Sequence, residues 1–183
     1  MNKIWIGNGQ LVLPDKIVPG GSVLLEGKKI AAVNVPCPPD ARRVDVDGSY
    51  IMAGSVDLHV HGGGDSDFMD EDASAFPTIA KAHCAHGTTA LCPTTMTCAD
   101  SLLEKTIDLF LEADKEPENG AELLGLHLEG PYFSAASKGA QPIGEQRIPE
   151  REDLERILRR AKGSILRWDA APELPNMELF AKV

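Results

Sequence analysis

Long apolar runs are missing from this 183-residue chain. No stretch approaches the roughly 18 apolar residues of a membrane span. The N-terminus has no basic segment followed by an apolar run, so no secretory leader is expected. Cations are scarce: 18 Lys and Arg stand against 28 Asp and Glu, a net charge of −10. Nucleic acid and anionic membranes both need a basic footprint, which excludes them as expected partners. Cysteine is sparse as well. Cys37, Cys84, Cys92 and Cys98 show neither C-x-x-C spacing nor a dense framework. They read as reduced, mostly buried thiols of a cytoplasmic protein, with Cys92 and Cys98 in core packing before metal binding. What remains is a globular composition, 43% hydrophobic and 25% charged. It suits one good-sized domain, or a small domain and part of a larger one.

Residues 1–53 read as a small all-β sandwich module. Ile4-Trp5-Ile6 precedes a turn signal at Gly7-Asn8-Gly9, and Leu11-Val12-Leu13 follows. Ser22 to Leu25 and Ile30 to Val33 flank Glu26-Gly27-Lys28 as a hairpin. Val44-Asp45-Val46 and Tyr50-Ile51-Met52 bracket Asp47-Gly48 as a last short pair. Nothing in this module carries chemistry, and a scaffold role is expected.

From residue 54 to 183 strands alternate with helices. The expected strands are 55–61, 88–94, 123–129 and 164–169. The expected helices are 73–86, 100–113, 150–161 and 176–183, the second with Asp100 as N-cap and Leu102, Leu103, Ile107, Leu109 and Phe110 as its buried stripe. This rhythm means βαβ units and a parallel sheet. Four units are half of a (β/α)8 barrel of the TIM type, so the chain reads as the first portion of something about twice as long. A complete flavodoxin-like sheet is the competing architecture. Against it, the first βα loop carries histidines where that fold carries a phosphate cradle.

The chemistry concentrates on the 55–61 strand. Read with period two, Val56, Leu58 and Val60 share one face, while Ser55, Asp57, His59 and His61 share the other. Two imidazoles at i and i+2 converge from roughly 7 Å apart and can share a metal or place two side by side. The third strand repeats the logic, with Leu124, Leu126 and Leu128 opposite Gly125, His127 and Glu129. In a barrel, polar residues at the C-terminal ends of strands read as catalytic, and odd strands feed the same interior layers. Glu129 can therefore approach His59 and His61, and the three would hold one zinc with a position left open. His127 reads as packing or outer support ahead of ligation, and His83 and His86 as ordinary helix residues. Asp57 either orients an imidazole or packs inside the barrel.

Met52-Ala-Gly-Ser-Val-Asp-Leu-His-Val-His-Gly-Gly-Gly, His86-Gly-Thr-Thr-Ala-Leu-Cys-Pro-Thr-Thr-Met-Thr and Gly125-Leu-His-Leu-Glu-Gly-Pro-Tyr-Phe resemble the N-acetylglucosamine-6-phosphate deacetylases of the amidohydrolase superfamily. The H-x-H strand alone would indicate only the superfamily; with the H-L-E-G-P segment it points to the deacetylase branch. The resemblance runs in family order and spacing to Pro172-Glu173. It implies a (β/α)8 barrel whose β module is completed by C-terminal strands, and a homodimer. It implies one or two divalent ions at the barrel mouth, zinc first and iron, manganese or cobalt as alternatives. His59, His61 and Glu129 match the family's metal ligands. Ala140 and Gln141 fall where the family contacts the sugar; histidine is common at the second position, and Gln141 cannot titrate near neutral pH as histidine can.

The implied reaction is hydrolysis of the acetamido group of N-acetylglucosamine 6-phosphate to glucosamine 6-phosphate and acetate. Two further metal-binding histidines, the catalytic aspartate and the cationic phosphate contacts are expected beyond Val183, so no catalytic group is expected within this chain. The alternatives are a cyclic-amide hydrolase of the dihydroorotase type and an inactive fragment. Dihydroorotases bridge their metals with a carboxylated lysine, and Glu129 stands at that third-strand position.

Overall fold

Contacts divide the chain into two units, Met1–Ala53 and Gly54–Val183. The computed structural model describes residues 3–142 and 144–182.

In the first unit, β1 (Lys3–Val12), β2 (Ile17–Glu26), β3 (Lys29–Val33), β4 (Arg42–Asp45) and β5 (Tyr50–Ile51) form a five-stranded sheet with order β3-β2-β1-β4 and β5 also on β1. The β2–β3 hairpin turns at Gly27, where φ is +61°. The expected turn at Gly7-Asn8-Gly9 is absent, and β1 runs straight through it. Asn8 adopts φ 61°, and the register with β2 shifts on both sides of Gly9. One left-handed residue offsets a strand as a bulge but does not reverse it. The expected pair around Asp47-Gly48 is also corrected. β4 and β5 do not pair with each other; each runs parallel to β1. Leu11, Val23 and Ile51 are the buried heart of this sheet.

The second unit contains β6 (Ser55–Val60), β7 (Gly62–Gly63), β8 (Ser66–Asp67), α1 (Ala75–Cys84), β9 (Thr88–Thr95), α2 (Asp100–Glu112), β10 (Glu122–Leu123), β11 (Leu126–Glu129), α3 (Arg151–Ala161) and β12 (Ile165–Asp169). β6, β9, β10 with β11, and β12 lie side by side in chain order, every neighbouring pair parallel. A flavodoxin-like sheet would instead reverse its order near the first strand. The third strand is broken between β10 and β11. At Gly125 a Cβ would sit 2.9 Å from both Leu166 Cβ and the Ser164 carbonyl, so β12 comes too close for a side chain there.

The core lies between one face of this sheet and the helices. Leu91, Leu126 and Leu128 pack with Phe76, Ile79, Leu103, Ile107, Phe110 and Ile157, all fully or nearly fully buried. Leu126 and Leu128 alternate with His127 and Glu129, so the core and the candidate site use opposite faces of one strand. The apolar face of β6 departs from expectation: Val60 is buried, but Val56 and Leu58 are 58% and 49% exposed. The core cluster takes only Val60 from that strand.

Helix ends also differ from expectation. Asp100 is the first residue of α2 and does not cap it; the N-cap position falls on Ala99. The Asp100 carboxylate instead pairs with Arg147 and with Arg156, the latter at 2.8 Å. Leu102 is only partly buried, and Thr106 joins the buried stripe in its place. The segment expected as a fourth helix is a 3-10 helix, Met177–Lys182, with Val183 outside the described residues. Helices α2 and α3 face each other through charge: Arg160 reaches Glu104 and Asp108 at 2.6 Å each, and Arg156 pairs with Glu104. No helix among the described residues is long and apolar enough to cross a membrane, and all four cysteines are free.

Candidate metal centre

Backbone geometry brings the H-x-H segment to Glu129. The β6–β9 register shifts between Asp57 and Val60, and Pro93 stands opposite Val60. Proline has no N–H, so the regular ladder cannot continue there. His61 follows directly. Its Nδ1 lies 3.2 Å from the Thr94 carbonyl oxygen. A carbonyl only accepts, so Nδ1 carries a proton in this contact and Nε2 is left facing Glu129.

That Nε2 is 3.2 Å from Glu129 Oε2, and His59 Nε2 is 4.0 Å from the same oxygen. One ligand atom from each of the three residues lies within 4.8 Å of the others. The two imidazoles cross at 89° with centroids 5.0 Å apart, so they approach from different directions. All three side chains are partly exposed, from 22% for Glu129 to 43% for His59. Two imidazoles and a carboxylate converging this closely are a donor set that zinc accepts.

Asp57 does not reach an imidazole. Its Oδ1 accepts the His59 backbone N–H at 3.1 Å, which fixes the backbone under the first histidine. His127 is fully buried. Its Nδ1 is 3.3 Å from Thr94 Oγ1, its Nε2 is 3.1 Å from Asp169 Oδ2, and its ring centroid is 5.0 Å from that of His59. The Asp169 contact has ion-pair distance without the alignment of a hydrogen bond. Burial lowers the His127 pKa, against the pull of Asp169. For Asp169, burial pushes upward, and Arg167 and His127 pull its carboxyl further downward, to a net position below the usual range.

His59, His127 and Asp169 form a second group with ligand atoms within 4.8 Å. Arg167 already grips Asp169 through two hydrogen bonds of 2.9 Å. This second group therefore offers a cation no net negative charge.

The two residues expected at the sugar differ in setting. Ala140 is exposed, whereas Gln141 is buried. Gln141 Oε1 accepts the Thr97 N–H at 2.8 Å, and its carbonyl accepts from Lys138 Nζ at 2.7 Å. The Thr97 hydroxyl in turn reaches the Glu129 carbonyl at 3.5 Å. Gln141 thus ties its loop to the ends of β9 and β11. His83 is more than a plain helix residue: its Nε2 is 3.0 Å from the Gly62 carbonyl, which joins α1 to the loop after His61.

Three residues of this region were missed by the sequence reading: Thr94, Arg167 and Asp169. Asp169 could have been found by the rule that found Glu129, since it is also a polar residue at the C-terminal end of a strand. Thr94 gave no such signal, because its neighbours come from two other strands.

A scan against sequence models of protein families finds no match. The chain is 30% identical over 169 residues to the N-acetylglucosamine-6-phosphate deacetylase of Bacillus subtilis, an alignment covering 89% of this chain and 43% of that protein. Among solved structures, the deacetylase of the same name from Thermotoga maritima matches with TM-score 0.73 and 28% identity, over 98% of this chain and 45% of the other. The Pasteurella multocida deacetylase shares the fold with TM-score 0.82 at 24% identity, over 96% of this chain and 46% of the other. The chain spans less than half the length of the relatives it matches here. Across most of its own length, in sequence and in fold, the chain is similar to the N-terminal portion of the N-acetylglucosamine-6-phosphate deacetylases.

Proposed function

We propose that this chain carries the first and third strands' share of a divalent-metal site in a deacetylase. The enzyme releases acetate from N-acetylglucosamine 6-phosphate and leaves glucosamine 6-phosphate. The observation that carries the reading is the convergence of His59 Nε2 and His61 Nε2 on one oxygen of Glu129, with the His61 proton held at the opposite nitrogen. In this reading residues 54–183 are the first four β/α units of a (β/α)8 barrel, and residues 1–53 are the N-terminal part of a β-sandwich module. Four parallel strands laid down in chain order support the barrel.

His59, His61 and Glu129 would hold the metal, zinc in the first instance, with iron, manganese or cobalt admitted by the same donors. A divalent ion supplies Lewis acidity and lowers the pKa of a coordinated water toward 7. This chain's own part is positional. Glu129 presents its carboxylate from the end of β11, the Thr94 carbonyl holds His61 in its binding tautomer, and Asp57 fixes the His59 amide. Ala140 and Gln141 stand as the sugar contacts, with His127 behind the ligands. The proton-handling aspartate and the phosphate-binding cations belong to the longer protein. That protein is proposed to work as a cytoplasmic homodimer.

Metal analysis of the purified chain beside His59→Ala and Glu129→Ala tests the site; equal metal in all three removes the ligand assignment. Acetate release from N-acetylglucosamine 6-phosphate tests the activity. No turnover is expected from these 183 residues alone, and turnover is expected from a chain of the relatives' length. A long chain that opened dihydropyrimidine rings and ignored the sugar would overturn the substrate assignment.

A further inference from the structure

The hydroxyl of Thr94 uses every hydrogen bond it can make. As donor it serves the Cys92 carbonyl at 3.0 Å. As acceptor it takes the Val60 backbone N–H at 2.9 Å and faces His127 Nδ1 at 3.3 Å. A threonine hydroxyl has one proton and two lone pairs, so with its proton on the Cys92 carbonyl the contact with His127 requires an Nδ1–H donor. The Thr94 carbonyl, meanwhile, holds the Nδ1–H of His61. One residue of the central strand therefore contacts both neighbours, β6 and β11, at the level of the candidate ligands.

The need for this arrangement comes from the register shift between Asp57 and Val60, which takes the Val60 amide off the regular β6–β9 ladder. Val60 sits between His59 and His61 and pairs with Pro93 across the β6–β9 ladder. Val60 is buried, so water does not readily serve its amide. Without an acceptor its N–H would be orphaned where the strand must hold two imidazoles in register. The Thr94 side chain takes the role that regular backbone pairing leaves open.

We propose that Thr94 is a positioning residue for the metal centre. Its hydroxyl pins the Val60 amide, and so the spacing of His59 and His61, and holds His127 as the Nδ1–H tautomer beneath them. It touches neither substrate nor the proposed metal; it acts through the three histidines. The proposal rests on the metal reading above for its consequence, though not for its geometry.

The test compares the wild-type chain with Thr94→Val, which keeps the branched shape without the hydroxyl, and Thr94→Ser, which restores the hydroxyl. Three readouts are taken: hydrogen exchange at the Val60 amide, the His127 tautomer from ring-nitrogen chemical shifts, and zinc affinity by chelator competition. In Thr94→Val the Val60 amide is expected to exchange at least about tenfold faster relative to core amides such as those of Leu91 and Leu128. His127 is expected to leave the Nδ1–H form, and zinc affinity to fall about 10- to 100-fold. Thr94→Ser is expected to return all three toward wild type.

Unchanged Val60 exchange and an unchanged His127 tautomer in Thr94→Val overturn the proposal. So does wild-type His127 carrying its only proton on Nε2, a measurement that needs no variant to fold. A wild-type chain that binds no zinc refutes the metal reading, and the exchange and tautomer results then decide the role of Thr94 by themselves.

Discussion

Two groups of side chains share His59, and they differ in what a cation would meet. His59, His61 and Glu129 lie partly open to solvent, with a carboxylate that forms no salt bridge to Lys or Arg among the described residues. His59, His127 and Asp169 have a fully buried imidazole at their centre, and Arg167 grips their carboxylate. Residue types and spacing are nearly the same in both. What separates them is net charge and access, since a carboxylate already matched to a guanidinium has little attraction left for a metal. A list of ligand-type residues within reach is therefore not yet a metal site.

The strongest way to break this contrast is to remove one carboxylate at a time. Glu129→Gln is expected to lower zinc affinity by about 100-fold or more, and Asp169→Asn by less than about tenfold, as for groups outside the ligand shell. Chelator competition reads both, and equal losses would erase the distinction. Next in size is Arg167→Ala, which frees the Asp169 carboxylate. Zinc titration of that variant is expected to show a second, weaker equivalent absent from wild type. If none appears, burial of His127 and not Arg167 is what keeps a cation out.

The smallest effect comes from the helix pair, which serves as a control away from both groups. Burial raises the Asp153 pKa, but the Tyr132 hydroxyl and the Arg147 and Arg156 guanidiniums lower it by more, so the net shift is downward. A folded-state pKa below the unfolded value near 3.9 gives stability that is present above about pH 4 and lost as pH falls through the folded value. Asp153→Asn should thus flatten the acid limb of a melting-temperature profile and cost about 1 kcal/mol near pH 7, kept small by solvent screening of the cluster. Zinc affinity at pH 7 should not change. A change there would mean that the helix network and the site are coupled.

Much of this was legible in the sequence because alternation is a local property. Val56 to His61 and Leu124 to Glu129 each announce a strand with a polar face, and four such strands separated by helices announce a parallel sheet. The Gly7-Asn8-Gly9 stretch misled because a bulge and a turn use the same residues, and only the partner strand distinguishes them. The exposure of Val56 and Leu58 was hidden for a similar reason, since periodicity reports which residues share a face and not what covers it. Thr94 was beyond reach. Its importance depends on a register shift in the β6–β9 ladder, on a buried amide in one neighbouring strand and on an imidazole in the other. None of these is near it in any pattern a single segment can show.

Gly130 follows Glu129 at φ +96°, and a Cβ there would lie 2.2 Å from Thr97 Oγ1. Thr97 also holds the Gln141 side chain and reaches the Glu129 carbonyl. Any side chain at position 130 would push on the contact that joins the loop of Ala140 and Gln141 to the strand of Glu129. Libraries that vary that loop at its exposed positions should therefore hold 130 invariant. A change there would alter the loop and the strand in one step, and selection could not tell which had responded.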